Sequence, residues 1–425
     1  MQEYDYILLP SAAIAILLFL FSFKSPTLLL SIHLLYRSLI DSIPNYTYIK
    51  LAGILSIAQI YSVVYIIIFF SYLLFRKKKL ITELTIPILS YLLIALISTI
   101  FSDYWSGFFQ FSIKWIYFYM IFLISLNVAS SKNQVQLSKI TIIFSFYPII
   151  NQILYAIIQG PKCIEGQSIC SYIGTYYHES ELSSWIFIFL LGSSIGIGYS
   201  KKYRFIFIAI FIIGIASLLL NNYRTATLGF IIYLFILYLL NIKKINPFIS
   251  IGFISSMIAI FTLLLTVYYD IISIYIEDII EFITNPTKYI DIDGNVARSE
   301  LFSGRLYLFN LILSEFVKND IYTYFIGMGP GIIDTLIGTF AHNEYLSTIV
   351  ELGFIGLILF IWLLWRSWYI MKAPDNKIYL SMFFCIIVTA LATMPFHDIR
   401  GVILFALILG YSKGESIRTF NKLNK

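Results

Sequence analysis

An all-α fold is predicted: a polytopic membrane bundle of about 12–13 transmembrane helices with one large outer loop. Three observations predict it. Of the 425 residues, 59% are hydrophobic and 12% are charged, with a mean hydropathy of +0.86, whereas a soluble domain of this size needs far more polar surface. Apolar segments of the ~20 residues that span a bilayer recur along the whole chain. The basic residues also sort to alternate ends of those segments. We read residues 1–425 as a single integral membrane domain, with no internal repeat and no low-complexity tract.

Candidate spans fall at 6–23, 26–41, 51–75, 83–102, 107–129, 139–159, 181–200, 204–221, 225–242, 247–269, 345–367, 378–396 and 401–412. The N-terminus is acidic, unlike the basic start of a cleavable signal, so 6–23 is read as a retained helix. Spans 26–41 and 401–412 are short and read equally as re-entrant; the first carries His33 and Arg37. With Arg76-Lys77-Lys78-Lys79 in the cytoplasm, 19 of the 29 basic residues but only three of the 23 acids fall on that side. Such an imbalance is the positive-inside signature. The formal charge of +6 follows from this sidedness and calls for no nucleic-acid partner.

Residues 270–344 form the large loop, on the outer side. Long loops with helical patterning carry function more often than short ones. Asp270–Phe282 reads as one amphipathic helix. Leu306, Phe309, Leu313 and Phe316 form a second stripe at helical spacing. Gly327-Met328-Gly329-Pro330-Gly331 reads as a backbone turn.

The ionisable residues at the outer helix ends are the candidate chemistry. His342, in His342-Asn343-Glu344, sits where the loop enters an apolar helix; it is a general-base candidate or a plain helix-end residue. Glu344 and Glu351 share one helix face, and a carboxylate two turns into a span needs a partner. Arg224, Arg305 and Arg400 stand at outer ends. An arginine fork suits a diphosphate, and the competing reading is an interfacial charge that snorkels. Lys114, part-way into the fifth span, is read as snorkelling. His178, Glu179 and Glu181 form an outer segment able to meet sugar hydroxyls or simply to face water. Gly353 and Gly356 suit close helix packing. Cys163 and Cys170 share a short loop; they bond if it faces an oxidising compartment and otherwise stay free. No Asp-rich metal cluster or zinc spacing is present, so no metal or other cofactor is expected.

Several stretches together resemble a known family: Asn222-Tyr223-Arg224-Thr225-Ala226-Thr227-Leu228-Gly229, Ser303-Gly304-Arg305, Gly327-Met328-Gly329, His342-Asn343-Glu344-Tyr345-Leu346 and Glu351-Leu352-Gly353-Phe354-Ile355-Gly356. In this order, beside a large outer loop, they resemble the O-antigen polymerase and O-antigen ligase superfamily. The resemblance implies a bacterial inner-membrane glycosyltransferase of the GT-C type. Its donor would be an oligosaccharide on undecaprenyl diphosphate, its acceptor a second lipid-linked glycan, with membrane lipids and a chain-length regulator as further partners. It implies Arg224 and Arg305 on the diphosphate and His342 as general base in a metal-independent inverting transfer. Arg400 is a third diphosphate candidate from its outer helix-end position alone, and Asn343, Glu344, Glu351, His178, Glu179 and Glu181 are acceptor-binding or supporting candidates. The His178–Glu181 stretch resembles an element of polymerases, which favours a polymerase of lipid-linked repeat units. The alternatives are a ligase that hands glycan to lipid A–core, a protein O-oligosaccharyltransferase, and a transporter or flippase of lipid-linked glycan.

Overall fold

The computed structural model describes residues 25–47, 50–51, 55–163, 170–242, 255, 262, 305–338, 341–373 and 376–423. The expected spans 6–23 and 247–269 and the Asp270–Phe282 helix lie outside these residues. What is described is almost entirely helical, with two short hairpins: β1 (Lys50–Leu51) with β2 (Leu55–Ser56), and β3 (Lys162–Cys163) with β4 (Cys170–Ser171).

Helix α1 (Pro26–Asp41) starts where Ser25 Oγ accepts from the Leu28 amide and Pro26 takes a position that needs no N–H. A one-turn helix, α2 (Pro44–Thr47), follows. Then come α3 (Ile57–Phe75), α4 (Thr85–Ser102), α5 (Trp105–Ser131), α6 (Gln134–Ile158), α7 (Glu179–Tyr199), α8 (Arg204–Asn221) and α9 (Arg224–Asn241). Reciprocal caps fix two of these starts, Ser56 with Gln59 on α3 and Asn133 with Gln136 on α6. After the large loop's α10 (Arg305–Val317), α11 (Ile321–Ile326) and α12 (Ile332–Ile337) come α13 (Glu344–Met371), α14 (Lys377–Thr389) and α15 (Ile399–Leu423). Eight of the described helices, α3 to α9 and α13, are long and apolar enough to cross a membrane.

Helix α15 is the centre of the bundle. Every residue from Gly401 to Ser412 is buried, so it is apolar on all sides, as a helix enclosed by others must be. It packs most closely on α5. A Cβ on Gly410 would stand 2.8 Å from Phe122 O, and one on Gly414 would stand 2.4 Å from Ala129 Cβ. This small-xxx-small pair lets the two backbones approach. Helix α7 is buried along most of its length, whereas α4, α8 and α13 turn residues such as Leu89, Phe205, Ile212 and Ile358 outward. An apolar exterior around a partly polar interior is the arrangement a bilayer requires.

Three boundaries and one helix face differ from the sequence reading. The span expected at 51–75 begins with the β1–β2 hairpin and turns helical only at Ile57. The span expected at 378–396 ends at Thr389, and residues 390–398 fold as turns. Pro395 lacks an N–H and disfavours helix at the residue before it, and this segment is held instead by Glu344, described below. The span expected at 401–412 is not short: α15 runs for 25 residues. In α10 the buried face runs through Ile312 and Phe316, while Leu313 of the expected stripe is exposed.

The ends of the helices agree with the predicted sidedness. At the basic end, Lys413 pairs with Glu83 (2.6 Å), Arg418 donates to Lys132 O (2.9 Å) and Lys377 donates to Asn241 Oδ1 (3.1 Å). At the opposite end, Cys163 and Cys170 form a disulfide, which resolves the choice left open by spacing.

Gly353 breaks α13. Its φ of 69° and ψ of −173° belong to a region that is essentially glycine's alone. The break frees carbonyls that an intact helix would use. Met328 N–H donates to Val350 O (2.8 Å), and Gly329 N–H donates to Glu351 O (3.0 Å). Ser98 Oγ also donates to Glu351 O (2.9 Å). The expected turn at Gly327–Gly331 is thus docked into the helix break. A Cβ on Gly353 would lie 2.3 Å from Phe325 O. The nearest atoms to a Cβ on Gly356 would belong to Leu352 of its own helix.

Gly353→Ala is expected to lower stability by at least about 1–3 kcal/mol, the usual range for forced backbone strain, read as a lower thermal midpoint in detergent. Alkylation of the unfolded, unreduced protein should add one label, at Cys385, and reduction beforehand should raise that to three.

Candidate active site

A cavity of about 800 Å³ lies among the outer helix ends. Its walls come from the C-terminal end of α1, the N-terminal turns of α3, α5, α7 and α9, the Gly331–Asp334 segment, the start of α13 and the 393–401 segment. All of these are ends that the charge pattern assigns to the non-basic side.

His342 lines this cavity. Its φ is 50°, a left-handed conformation uncommon for a residue with a side chain. Its two neighbours explain how it is held there. Asn343 caps α13: its Oδ1 accepts from Leu346 N (2.9 Å) and its Nδ2 donates to Leu391 O (3.0 Å). Glu344 is buried, and its Oε2 accepts from the amides of Phe396 (3.0 Å) and His397 (3.2 Å). Its own amide donates to Ala390 O (2.9 Å). Asn343 and Glu344 therefore clamp α13 to the 390–398 turns, and His342 stands at the edge of that clamp. Glu351 also lines the cavity, close to the Ser347 hydroxyl and the Gly331 amide.

The acidic segment before α7 forms another wall. His178 caps α7 by accepting from Ser180 N (3.1 Å), and its ring meets Tyr223 edge-on at 6.0 Å. Glu179 accepts from Ser171 Oγ (2.6 Å). Asn221 Nδ2 donates to Glu179 O (2.9 Å) and Ser183 Oγ (2.7 Å), which fastens α8 to α7. Two motifs distant in sequence, Asn222-Tyr223-Arg224 and His178-Glu179-Ser180-Glu181, thus become neighbours.

Arg400 does not stand as a diphosphate fork open to a ligand. It is 3% exposed and surrounded by carboxylates: Asp41 at 3.1 Å, Glu181 at 3.0 Å and Asp398 at 2.9 Å. Asp41 also meets Arg37 (2.7 Å) and accepts from Trp185 Nε1 (3.3 Å). Arg37 in turn donates to Ala58 O and Ser62 Oγ, both at 3.2 Å. This chain of charges joins α1, α3, α7 and α15, and it assigns Arg400 and Glu181 to the frame of the cavity.

Arg224 is exposed at the first turn of α9. Tyr223 and Thr225, on either side of it, line the cavity, and Arg224 itself stands outside that lining. Arg305 opens α10, and its side chain lies outside the described residues. The structure thus gathers His342, Glu351, His178, Glu181 and Arg400 around one space. It brings Arg224 to the margin.

Two cations that matter were undervalued in the sequence. Lys114, read there as snorkelling, lines the cavity from α5. Arg37, noted only as a charge in a short span, is buried. The signal for Arg37 was present in its spacing of four from Asp41, an ion pair on one helix face. His397 and Asp398, quoted only as neighbours of Arg400, also line the space. Burial, with the Lys114 charge second, pushes the His397 imidazole down to about 3.

A helix bundle with an apolar exterior and a charged cavity at one end defines a multi-pass membrane protein whose site lies among its helix ends. Residues 209–361 match the family model described as O-antigen ligase, which supports the resemblance to the O-antigen ligase and polymerase superfamily and indicates a membrane glycosyltransferase-like enzyme. No curated protein matches the chain. The matched stretch contains Arg224, Arg305, His342 and Glu351. Lys114, Arg37, His178, Glu181 and Arg400 lie beyond it.

Arg400→Ala would leave three carboxylates facing one another. Removal of one partner from a buried ion pair typically costs about 3–5 kcal/mol, so a large fall in thermal midpoint is expected, partly restored by adding Glu181→Gln. The fold holds His397 neutral, while the unfolded chain binds a proton below the ordinary value of 6.5. Its contribution is therefore favourable above pH 6.5 and is lost as pH falls toward 3. His397→Asn should flatten the pH dependence of the unfolding midpoint in that window.

Proposed function

We propose that this chain is a polysaccharide polymerase that joins oligosaccharide repeat units carried on undecaprenyl diphosphate. The observation that carries the reading is the placement of His342: one residue in left-handed conformation, fixed by the Asn343 and Glu344 clamp, at the wall of a charged cavity among outer helix ends. His342 acts as general base on the acceptor. It takes the proton of a sugar hydroxyl as that oxygen forms a bond to the donor's anomeric carbon. The bond from that carbon to the diphosphate oxygen breaks, and undecaprenyl diphosphate departs with the electron pair. In-line attack inverts the anomeric centre. Arg224 and Arg305 meet the growing charge on the leaving group, which fixed positive donors stabilise. His178 and Glu179, beside Tyr223, meet acceptor hydroxyls.

The cavity faces the periplasm of a bacterial inner membrane in this reading. Two features support that side. The Cys163–Cys170 disulfide lies in the loop that leads to Tyr177 and His178, and disulfides persist in oxidising compartments. The basic helix ends lie at the other side, as cytoplasmic ends do.

The test is transfer by purified protein supplied with lipid-linked repeat units, with and without lipid A–core. A ladder of products without the core is expected. A single transfer onto the core would make the chain a ligase instead. His342→Ala should reduce turnover by about 10²-fold or more; a variant that kept full activity would point to transport of lipid-linked glycan. Arg224→Ala should also weaken turnover, with poor rescue by lysine because a point charge does not replace a fork.

A further inference from the structure

The cations around the cavity differ in one respect. Arg37 and Arg400 are each held by carboxylates within about 3 Å. Lys114 is not. Among the described residues its ammonium has no ion pair within 4 Å and no hydrogen bond, and its nearest recorded partner is the Phe111 ring, with 5.5 Å to the centroid. The side chain is half-buried in a cavity wall formed with Phe111 and Gln110 from the same helix. Its ammonium is therefore on the cavity side of α5.

Its carboxylate neighbours are engaged elsewhere. Glu344, Glu351 and Asp398 act on Lys114 through space. Glu344 accepts two backbone amides. Asp398 accepts from the Arg400 guanidinium and amide. Glu351 is close to Ser347 and Gly331. A half-buried ammonium in a cavity wall, with no contact partner of its own, is placed to meet an anion that enters the space it lines. A lysine serves phosphate well as a compact point charge with three donors.

We infer that Lys114 is a binding residue for a phosphate group of an organic diphosphate held in this cavity. The inference rests on the donor class given under the proposed function, and it adds a cation from outside the matched stretch 209–361. Lys114 and His342 line the same cavity, so the leaving diphosphate and the proton acceptor are served from different elements, α5 and the start of α13.

The experiment is equilibrium binding of undecaprenyl diphosphate, with undecaprenol and inorganic pyrophosphate as separate arms, to the full chain in detergent. The wild type should prefer undecaprenyl diphosphate to undecaprenol. Lys114→Gln should raise the diphosphate Kd about 10-fold or more and leave undecaprenol binding unchanged, while Lys114→Arg stays close to wild type. Pyrophosphate binding that falls in step with the lipid locates the contact on the diphosphate itself. A lysine that only balances a carboxylate makes a different forecast, so Lys114→Gln combined with Glu351→Gln separates the two. Continued weak diphosphate binding in that charge-balanced double variant supports the phosphate contact; recovery to wild-type affinity overturns it. The double variant also answers the question if Lys114→Gln alone fails to fold. Wild-type diphosphate affinity in Lys114→Gln would likewise overturn the inference and leave the donor reading intact. A wild type that binds undecaprenol equally well would overturn both.

Discussion

The buried charge chain from Arg37 through Asp41 to Arg400, Glu181 and Asp398 is the constraint on which the rest of the site depends. Ions removed from water are stable only when each is met by another. Here the partners come from α1, α7 and the start of α15. No one of these helices can shift along its axis without stranding a charge. The helix ends that carry the cavity wall are therefore fixed relative to one another, even though much of the remaining contact between helices is non-directional apolar packing.

A second fixed point is the backbone junction at Gly353. There the large loop is joined to α13 through amides and carbonyls rather than side chains. Glu344 then ties the same helix to the 390–398 turns. Three short segments, 327–331, 341–344 and 390–398, thus share one helix end. Each would be costly to expose to lipid, since irregular backbone at membrane depth must be satisfied by protein. Their hydrogen bonds help to satisfy it, and parts of these segments line the cavity.

The bundle itself was legible in the sequence, because hydropathy and charge asymmetry report directly on a bilayer. Most span limits agree with the helices to within a few residues. The departures have local causes: the β1–β2 hairpin ahead of Ile57, the 390–398 turns around Pro395 that follow α14, and the length of α15, whose polar C-terminal turns conceal a continuous helix. The association of His342, Glu351 and His178 was legible as a shared side and as a resemblance. The role of Arg400 was not. An arginine at a helix end looks the same in sequence whether it awaits an anion or already has three, and its carboxylates lie at positions 41, 181 and 398. Lys114 was obscured for the converse reason: a lysine in an apolar span usually escapes to the interface, and only the neighbouring helices show that this one lines the cavity.

The shortness of α14 has a consequence for how a lipid-borne substrate would meet this protein. Thirteen residues rise only about 20 Å, some 10 Å less than a typical hydrocarbon core. A helix of that length that starts at one membrane face ends short of the other, so the turns that follow Thr389 would lie below the opposite surface. A long-chain isoprenoid can leave its tail among the acyl chains while its polar head sinks sideways into a recess below the headgroup plane. For the donor proposed above, such a recess would leave no need to extract the carrier from the bilayer, because the pocket would lie at the carrier's own depth.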